Sequence, residues 1–325
     1  MKSHNQRCSS KVFVLAAALS LITGGAIAQG RYPSKPIRIV VPFAAGGSPD
    51  TWTRILVKGM EPRLGQPLLV ENRPGANSVV GVAYGAKAAP DGYTILYATN
   101  SGISAARALF KSLPYDPMND FAGIIIAQES YFALMVRNEE KGVSLPAFLE
   151  KIRKNPEKYP IGGASSTQEI LNKMMEGAGK LSHTYARYAN PAPMVSDLLG
   201  GRLGGIIHTL NASLAMVEGG QAHAIAVSSP TRLPTLPNTP ALAEVMPGVS
   251  LGPWTGYFAP AKTPRPIIDL LYQKFAEAVK EPAAAKYAEN SGRGIAMPPA
   301  EVDAFIRKDE ARWLRLAKEA GIEPE

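Results

Sequence analysis

Two segments rich in glycine and hydroxyl residues carry the side chains best suited to chemistry, and that chemistry is capture of an anion. The first is Phe43-Ala44-Ala45-Gly46-Gly47-Ser48-Pro49-Asp50, between a β-branched run and a helical pattern. Open α/β sheets bind ligands beyond the carboxyl ends of their strands. The first turn of a following helix offers unpaired N–H groups and partial positive charge. Gly46 and Gly47 lack Cβ, so the backbone there can approach a ligand closely. A tight strand–helix turn with no ligand uses the same residues, and the motif alone leaves both readings open. The second segment is Gly162-Gly163-Ala164-Ser165-Ser166-Thr167. Its hydroxyls suit a carboxylate, while Ser166 or Thr167 acting only as a helix cap is the simpler alternative. Two such junctions in separate blocks allow facing lobes to close over one ligand.

Other chemistries are poorly provided for. No Gly-Lys-Ser/Thr follows the first loop, so it is not a P-loop, and Gly46-Gly47 lacks the dinucleotide spacing. Neither a Gly-x-Ser-x-Gly elbow nor a His-Glu-x-x-His pair occurs. His183, His208 and His223 lack close ligand spacing, so neither metal nor cofactor is expected. His208 ends the run from Leu203 to Ile207, where it either touches the ligand or is structural. Phe43 and Trp52, with His208, are expected to shape the cleft.

Positioning these residues requires alternating strands and helices. Ile37 to Val41 reads as a buried strand and Thr51 to Leu64 as a helix, with Asp50 as N-cap and Gly65 just past the end. Strands at 68–70 and 93–98 with a helix at 79–88 complete a parallel unit. The pattern restarts with apolar strands at 124–126 and 131–136. Helices follow at 145–154, 168–177, 193–200 and 211–219, with strands at 159–164, 185–188, 203–209 and 224–227. The proline-rich stretch from Pro230 to Pro240 reads as a linker, 254–259 as a strand, and helices at 266–280 and 299–320 close the chain.

A length of 325 residues, with 46% hydrophobic and 19% charged, fits two lobes of an ordinary globular protein. Lys2, Arg7 and Lys11, the short apolar run from Val12 to Ile22, and Ala26-Ile27-Ala28 have the form of a secretory leader cleaved after Ala28. Thr23-Gly24-Gly25 interrupts the run too early for a membrane anchor. The leader would take with it Cys8, the sole cysteine, excluding disulfides and thiolate chemistry. It would also take three basic residues and no acidic one, lowering the net charge from +8 to +5. The remaining bases are dispersed. The densest group, Lys151, Arg153, Lys154 and Lys158, reads as a solvated face, and no nucleic-acid partner is expected.

In several segments the chain resembles the Bug family, the substrate-binding proteins of tripartite tricarboxylate transporters. The matching residues are Tyr32 to Ser48 with Asp50, Leu64 to Pro67, Val70 to Ala76, Ala89 to Thr94 and Leu113 to Pro117. Further on they are Asp197 to Gly201, Trp254 and Gly256, Ala259 to Ala261, and Glu319 to Ile322. The resemblance implies an α/β, type II periplasmic-binding-protein fold with two lobes joined by crossing strands. Lobe 1 would hold residues 29–128 and 230–325, and lobe 2 residues 129–229. The ligand would be a small organic carboxylate: a di- or tricarboxylate or an aromatic acid. The partners would be a large and a small integral membrane subunit, and the protein a periplasmic monomer. Carried over by position, the first loop contributes Phe43, Ala44, Gly46, Gly47, Ser48 and Asp50. Thr99 follows the third strand, and Ser165 and Ser166, with Thr167 beside them, form the second-lobe anion loop.

The chain departs from the family pattern at Ala164-Ser165-Ser166, where Asn-Gly-Thr is common, and at Tyr188-Ala189-Asn190, where Tyr-Lys-Gly is common. It departs again at Ala106-Arg107, often Asn-Pro, and at His208, which stands where the family has Asp. Losing that Asp disfavours ligands with an ammonium group. A ligand-sensing receptor for a signalling partner shares all these features. A periplasmic enzyme on the same scaffold would need a base–nucleophile pair, and none is recognisable.

Overall fold

Strand β1 (Ile37–Val41) sets the pattern for the first half of the chain: all its residues but Arg38 are buried, as in a parallel strand covered on both faces. The computed structural model describes residues 32–324, so the expected leader, Cys8 and the cleavage point after Ala28 lie outside the described residues. All elements named below belong to one unit beginning at Lys35.

Helix α1 (Ser48–Leu64) follows β1, then β2 (Leu68–Asn72), α2 (Val79–Ala86) and β3 (Thr94–Thr99). A 3₁₀ turn (Asn100–Gly102) and the short α3 (Ala106–Leu109) lead to β4 (Phe121–Ser130). Helix α1 starts three residues earlier than its apolar pattern indicates, because Pro49 in the first turn needs no N–H partner and has its φ already set. Its N-cap is Gly47, not Asp50, and it ends on left-handed Gly65, as the glycine foretold.

The middle of the chain runs β5 (Phe132–Arg137), α4 (Leu145–Lys154), β6 (Ile161–Gly163), α5 (Ser166–Gly179) and β7 (Tyr185–Arg187). It continues with α6 (Pro191–Leu199), β8 (Gly205–Thr209), α7 (Leu210–Glu218) and β9 (Ala222–Val227). The short α8 (Leu242–Val245) precedes β10 (Trp254–Pro260), α9 (Arg265–Val279), α10 (Pro282–Ser291), β11 (Gly292–Met297) and α11 (Pro299–Glu319). Two closing helices were expected. The structure adds α10 and the edge strand β11 between them.

The strands form two sheets, ordered β11-β4-β10-β3-β1-β2 and β7-β6-β8-β5-β9. In the first, β1 lies parallel to β2 and β3, and β10 runs antiparallel to β3 and β4. In the second, β6 lies parallel to β7 and β8, and β5 runs antiparallel to β8 and β9. Strands β5 and β10 each enter directly after the chain has passed from the other sheet. The passages are Tyr131, between β4 and β5, and residues 228–253, between β9 and β10. Helix α11 spans two cores: Val302 and Ile306 pack with Leu96, Ile126 and Phe258 of the first sheet. Trp313, Leu316 and Ala317 pack with Phe132, Leu134 and Ile207 of the second. No helix among the described residues is long and apolar enough to cross a membrane.

Candidate ligand-binding site

The carboxyl ends of the parallel strands open onto a cavity of about 190 Å³. Four helix or 3₁₀ starts line it: Ser48 and Pro49 of α1, Asn100 and Ser101 of the 3₁₀ turn, Thr167 of α5 with its cap Ser165, and Leu210 and Asn211 of α7 with Thr209. The first N–H groups of a helix have no partner within it, so these starts turn donors and partial positive charge inward. Phe43, Trp52, Tyr97, Tyr131, Phe132 and Tyr287 supply aromatic walls. Thr99, Gln128, Ser130, Thr255 and Ser291 add polar groups. Among the described residues, no Asp, Glu, Lys, Arg or His side chain lines it.

The first loop is held from behind. Asp50 Oδ2 accepts the Gly46 N–H at 2.9 Å, and Arg54 Nε donates to both Asp50 oxygens at 3.0 Å. Burial pushes the Asp50 carboxyl upward, but hydrogen bonds from Arg54, Gly46 and Asn72 and the charge of Arg54 outweigh it and hold it below its ordinary value. Asn72 Nδ2 donates to the Phe43 carbonyl at 3.1 Å, and the Tyr287 hydroxyl donates to that of Ser48 at 3.1 Å. Trp52 stacks on Tyr287 at 5.6 Å, and Phe43 meets Tyr97 edge-on at 6.0 Å. Burial, followed by neighbouring tyrosines, raises the Tyr97 phenol well above its usual value; burial likewise raises those of Tyr131 and Tyr287. All three line the cavity as neutral side chains.

Two contacts tie the sheets together beside the cavity. Asn100 Nδ2 donates to Thr167 Oγ1 at 3.4 Å. Asn211 Nδ2 donates to Ser291 Oγ, which in turn donates to the Tyr287 carbonyl at 2.9 Å. Ser165 caps α5, its hydroxyl accepting the Gln168 N–H at 3.3 Å, and Gln168 Oε1 accepts the Ala164 N–H at 2.6 Å. The cap is thus one residue earlier than the simple capping alternative named.

Of the residues singled out from the sequence, Phe43, Ser48, Thr99, Ser165 and Thr167, with Trp52, meet in the cavity wall. Ala44, Gly46, Gly47, Asp50, Ser166 and His208 lie outside that lining. The Gly46 N–H is already taken by Asp50, which works as a brace. His208 is 5% exposed, and its place beside Thr209 on β8 puts it on the face of Ile206. Burial lowers its pKa to about 4, leaving a neutral imidazole. Asn100, Gln128, Thr209, Asn211, Tyr287 and Ser291 were not anticipated. Asn100 follows β3 and Thr209 ends β8, at carboxyl ends like the one before Phe43, and the same rule applied to every strand would have found them. No grouping of His, Cys, Asp and Glu among the described residues is arranged to hold a metal ion.

A neutral, donor-lined hollow at the strand ends of two α/β sheets with matching order defines a solute-binding protein of the periplasmic-binding-protein fold. Comparison with known proteins narrows this. Residues 52–322 match the model of the tripartite tricarboxylate transporter family receptor. Protein BugT of Bordetella pertussis is 28% identical over 315 residues, covering 95% of this chain and 95% of that protein. An R. palustris protein solved with adipate superposes with a TM-score of 0.82 at 27% identity, covering 90% of this chain and all of that one. MatC from Rhodopseudomonas palustris, solved with bound malate, gives 0.77 at 25% identity, covering 88% of this chain and all of that one. The chain belongs to the tripartite tricarboxylate transporter receptor family, the Bug proteins, which are binding proteins and not enzymes.

Proposed function

We propose that this receptor captures a small organic carboxylate lacking an ammonium group in the periplasm and presents it to a large and a small integral membrane subunit. The observation that carries the reading is a cavity set at four helix and 3₁₀ starts with no charged side chain in its wall. Burying a carboxylate is costly unless several donors meet it. Hydroxyls of Ser48, Thr99, Ser165 and Thr167 and the neighbouring first-turn N–H groups supply them without a cation. An ammonium group would find no carboxylate here. The relatives solved with adipate and malate support an organic acid, and the leader-like residues 1–28 support export.

In this reading the two sheets belong to lobes divided near residues 129 and 229, and a ligand touching both shifts the population toward a closed form. Thermal-shift titration of the protein from Gln29 onward against organic acids, their amino-acid counterparts and neutral sugars tests it. A carboxylate at a hundredfold excess over its Kd should stabilise by about 2.7 kcal/mol. Aspartate binding more tightly than succinate, or stabilisation by sugars alone, would overturn the reading.

A further inference from the structure

The cavity wall turns mostly carbon toward its interior, although many of its residues are polar. Their polar groups are largely committed to one another. Asn100 Nδ2 donates to Thr167 Oγ1 at 3.4 Å, and Asn211 Nδ2 donates to Ser291 Oγ, whose own hydroxyl donates to the Tyr287 carbonyl at 2.9 Å. Thr99 Oγ1 and Ser101 Oγ share a hydrogen bond of 2.8 Å, and the Tyr287 hydroxyl donates to the Ser48 carbonyl at 3.1 Å.

Two lining hydroxyl residues are exposed, Ser48 at the start of α1 and Ser165 at the cap of α5. Ser165 Oγ accepts the Gln168 N–H, which leaves its O–H as a donor. A carboxylate only accepts, so it suits such helix starts. Away from them, the accessible wall includes Phe43, Pro49, Tyr131, Pro253 and Tyr287, all half-buried. Tyr287 is held by its stack on Trp52 and Phe43 by its perpendicular contact with Tyr97, so both rings are fixed in place by the protein itself. A flat apolar body gains burial and ring contacts against such a wall. A hydroxyl on that body would be pressed against carbon, and a buried polar group without a partner is costly.

Building on the carboxylate reading above, we infer that the ligand is an aromatic carboxylate with no hydroxyl on its body. Its charged end lies with the donors at the starts of α1 and α5, and its ring lies against Phe43, Tyr131 and Tyr287. The receptor then differs in ligand class from its relative solved with bound malate, a hydroxy acid.

The test is calorimetric titration of the protein from Gln29 onward with benzoate, phenylacetate and terephthalate, against succinate, malate and tartrate, with mandelate paired to phenylacetate. The best aromatic acid should bind roughly tenfold or more tightly than succinate. Affinity should fall severalfold from succinate to malate, again from malate to tartrate, and from phenylacetate to mandelate. Phe43→Leu keeps an apolar side chain and removes the ring, and in it the preference for the aromatic acid over succinate should fall severalfold. The series on the unmodified protein decides by itself if that variant does not fold. Malate or tartrate binding as tightly as the best aromatic acid would overturn the inference and leave the carboxylate reading intact. So would an aromatic preference unchanged in Phe43→Leu. Failure of every carboxylate to bind would overturn both.

Discussion

Asp309 is the residue whose removal should be felt most widely. It sits in the interior of α11, 7% exposed, and its Oδ2 accepts three hydrogen bonds. Ser104 Oγ donates at 2.5 Å, Trp254 Nε1 at 2.6 Å and Trp313 Nε1 at 3.1 Å. Trp254 opens β10 in the first sheet, and Trp313 belongs to the core around the second, so one carboxylate joins the helix to both. In Asp309→Ala the hydroxyl of Ser104 can rotate toward another acceptor, but the two buried indole N–H groups cannot. Each stranded donor costs about 1–3 kcal/mol, so the pair amounts to about 4 kcal/mol. For a chain of this size that is a fall in Tm of about 10 °C. Asp309→Asn keeps one acceptor and should lose about half as much. Thermal and urea unfolding followed by tryptophan fluorescence measures both, with exposed Asp303→Ala on the same helix as a control expected within about 0.5 kcal/mol. A loss below about 1 kcal/mol in Asp309→Ala would refute the reasoning.

Two further outcomes follow from the loop and from β8. Gly46 has φ +79° and Gly47 φ −75°, and a Cβ on Gly47 meets only Ala44 O at 3.4 Å and Pro49 Cδ at 3.7 Å. Gly46→Ala should therefore destabilise by about 1 kcal/mol and weaken ligand binding, while Gly47→Ala should match the unmodified protein in paired melting and titration experiments. His208, whose pKa falls from 6.5 to about 4 on folding, binds its proton more weakly in the folded state. Its contribution is complete above pH 6.5 and is lost as pH falls toward 4, about 3 kcal/mol in all. His208→Leu should thus be ahead of the unmodified protein by about 2 kcal/mol at pH 4.5, level with it near pH 7, and unchanged in carboxylate affinity. A pH-independent difference between the two would count against a buried neutral imidazole.

Local pattern carried much of the architecture. Ile37–Val41 and Leu145–Lys154 fall on the residues that their β-branched run and amphipathic spacing indicate. Helix α10 escaped notice because Pro282-Ala-Ala-Ala-Lys has little apolar periodicity, and β11 because Gly292 and Gly294 read as a loop. What makes β11 a strand is its register with Glu129 and Gln128 of β4, a non-local pairing. At the site, the strand-end rule led to Phe43, Ser48, Ser165 and Thr167, and the family resemblance to Thr99. It could not say which loop atoms are already used, as the Gly46 N–H is by Asp50, nor which way a strand residue faces, as with His208 beside Thr209.

A crystal structure of the protein grown with whichever carboxylate stabilises it most would be the most direct measurement. The carboxylate should lie in the cavity among the first turns of α1 and α5, its oxygens within about 3 Å of hydroxyl or backbone N–H donors and touching residues of both sheets. Density for the acid at another surface, or paired with a lysine or arginine, would contradict capture by neutral donors between the two sheets.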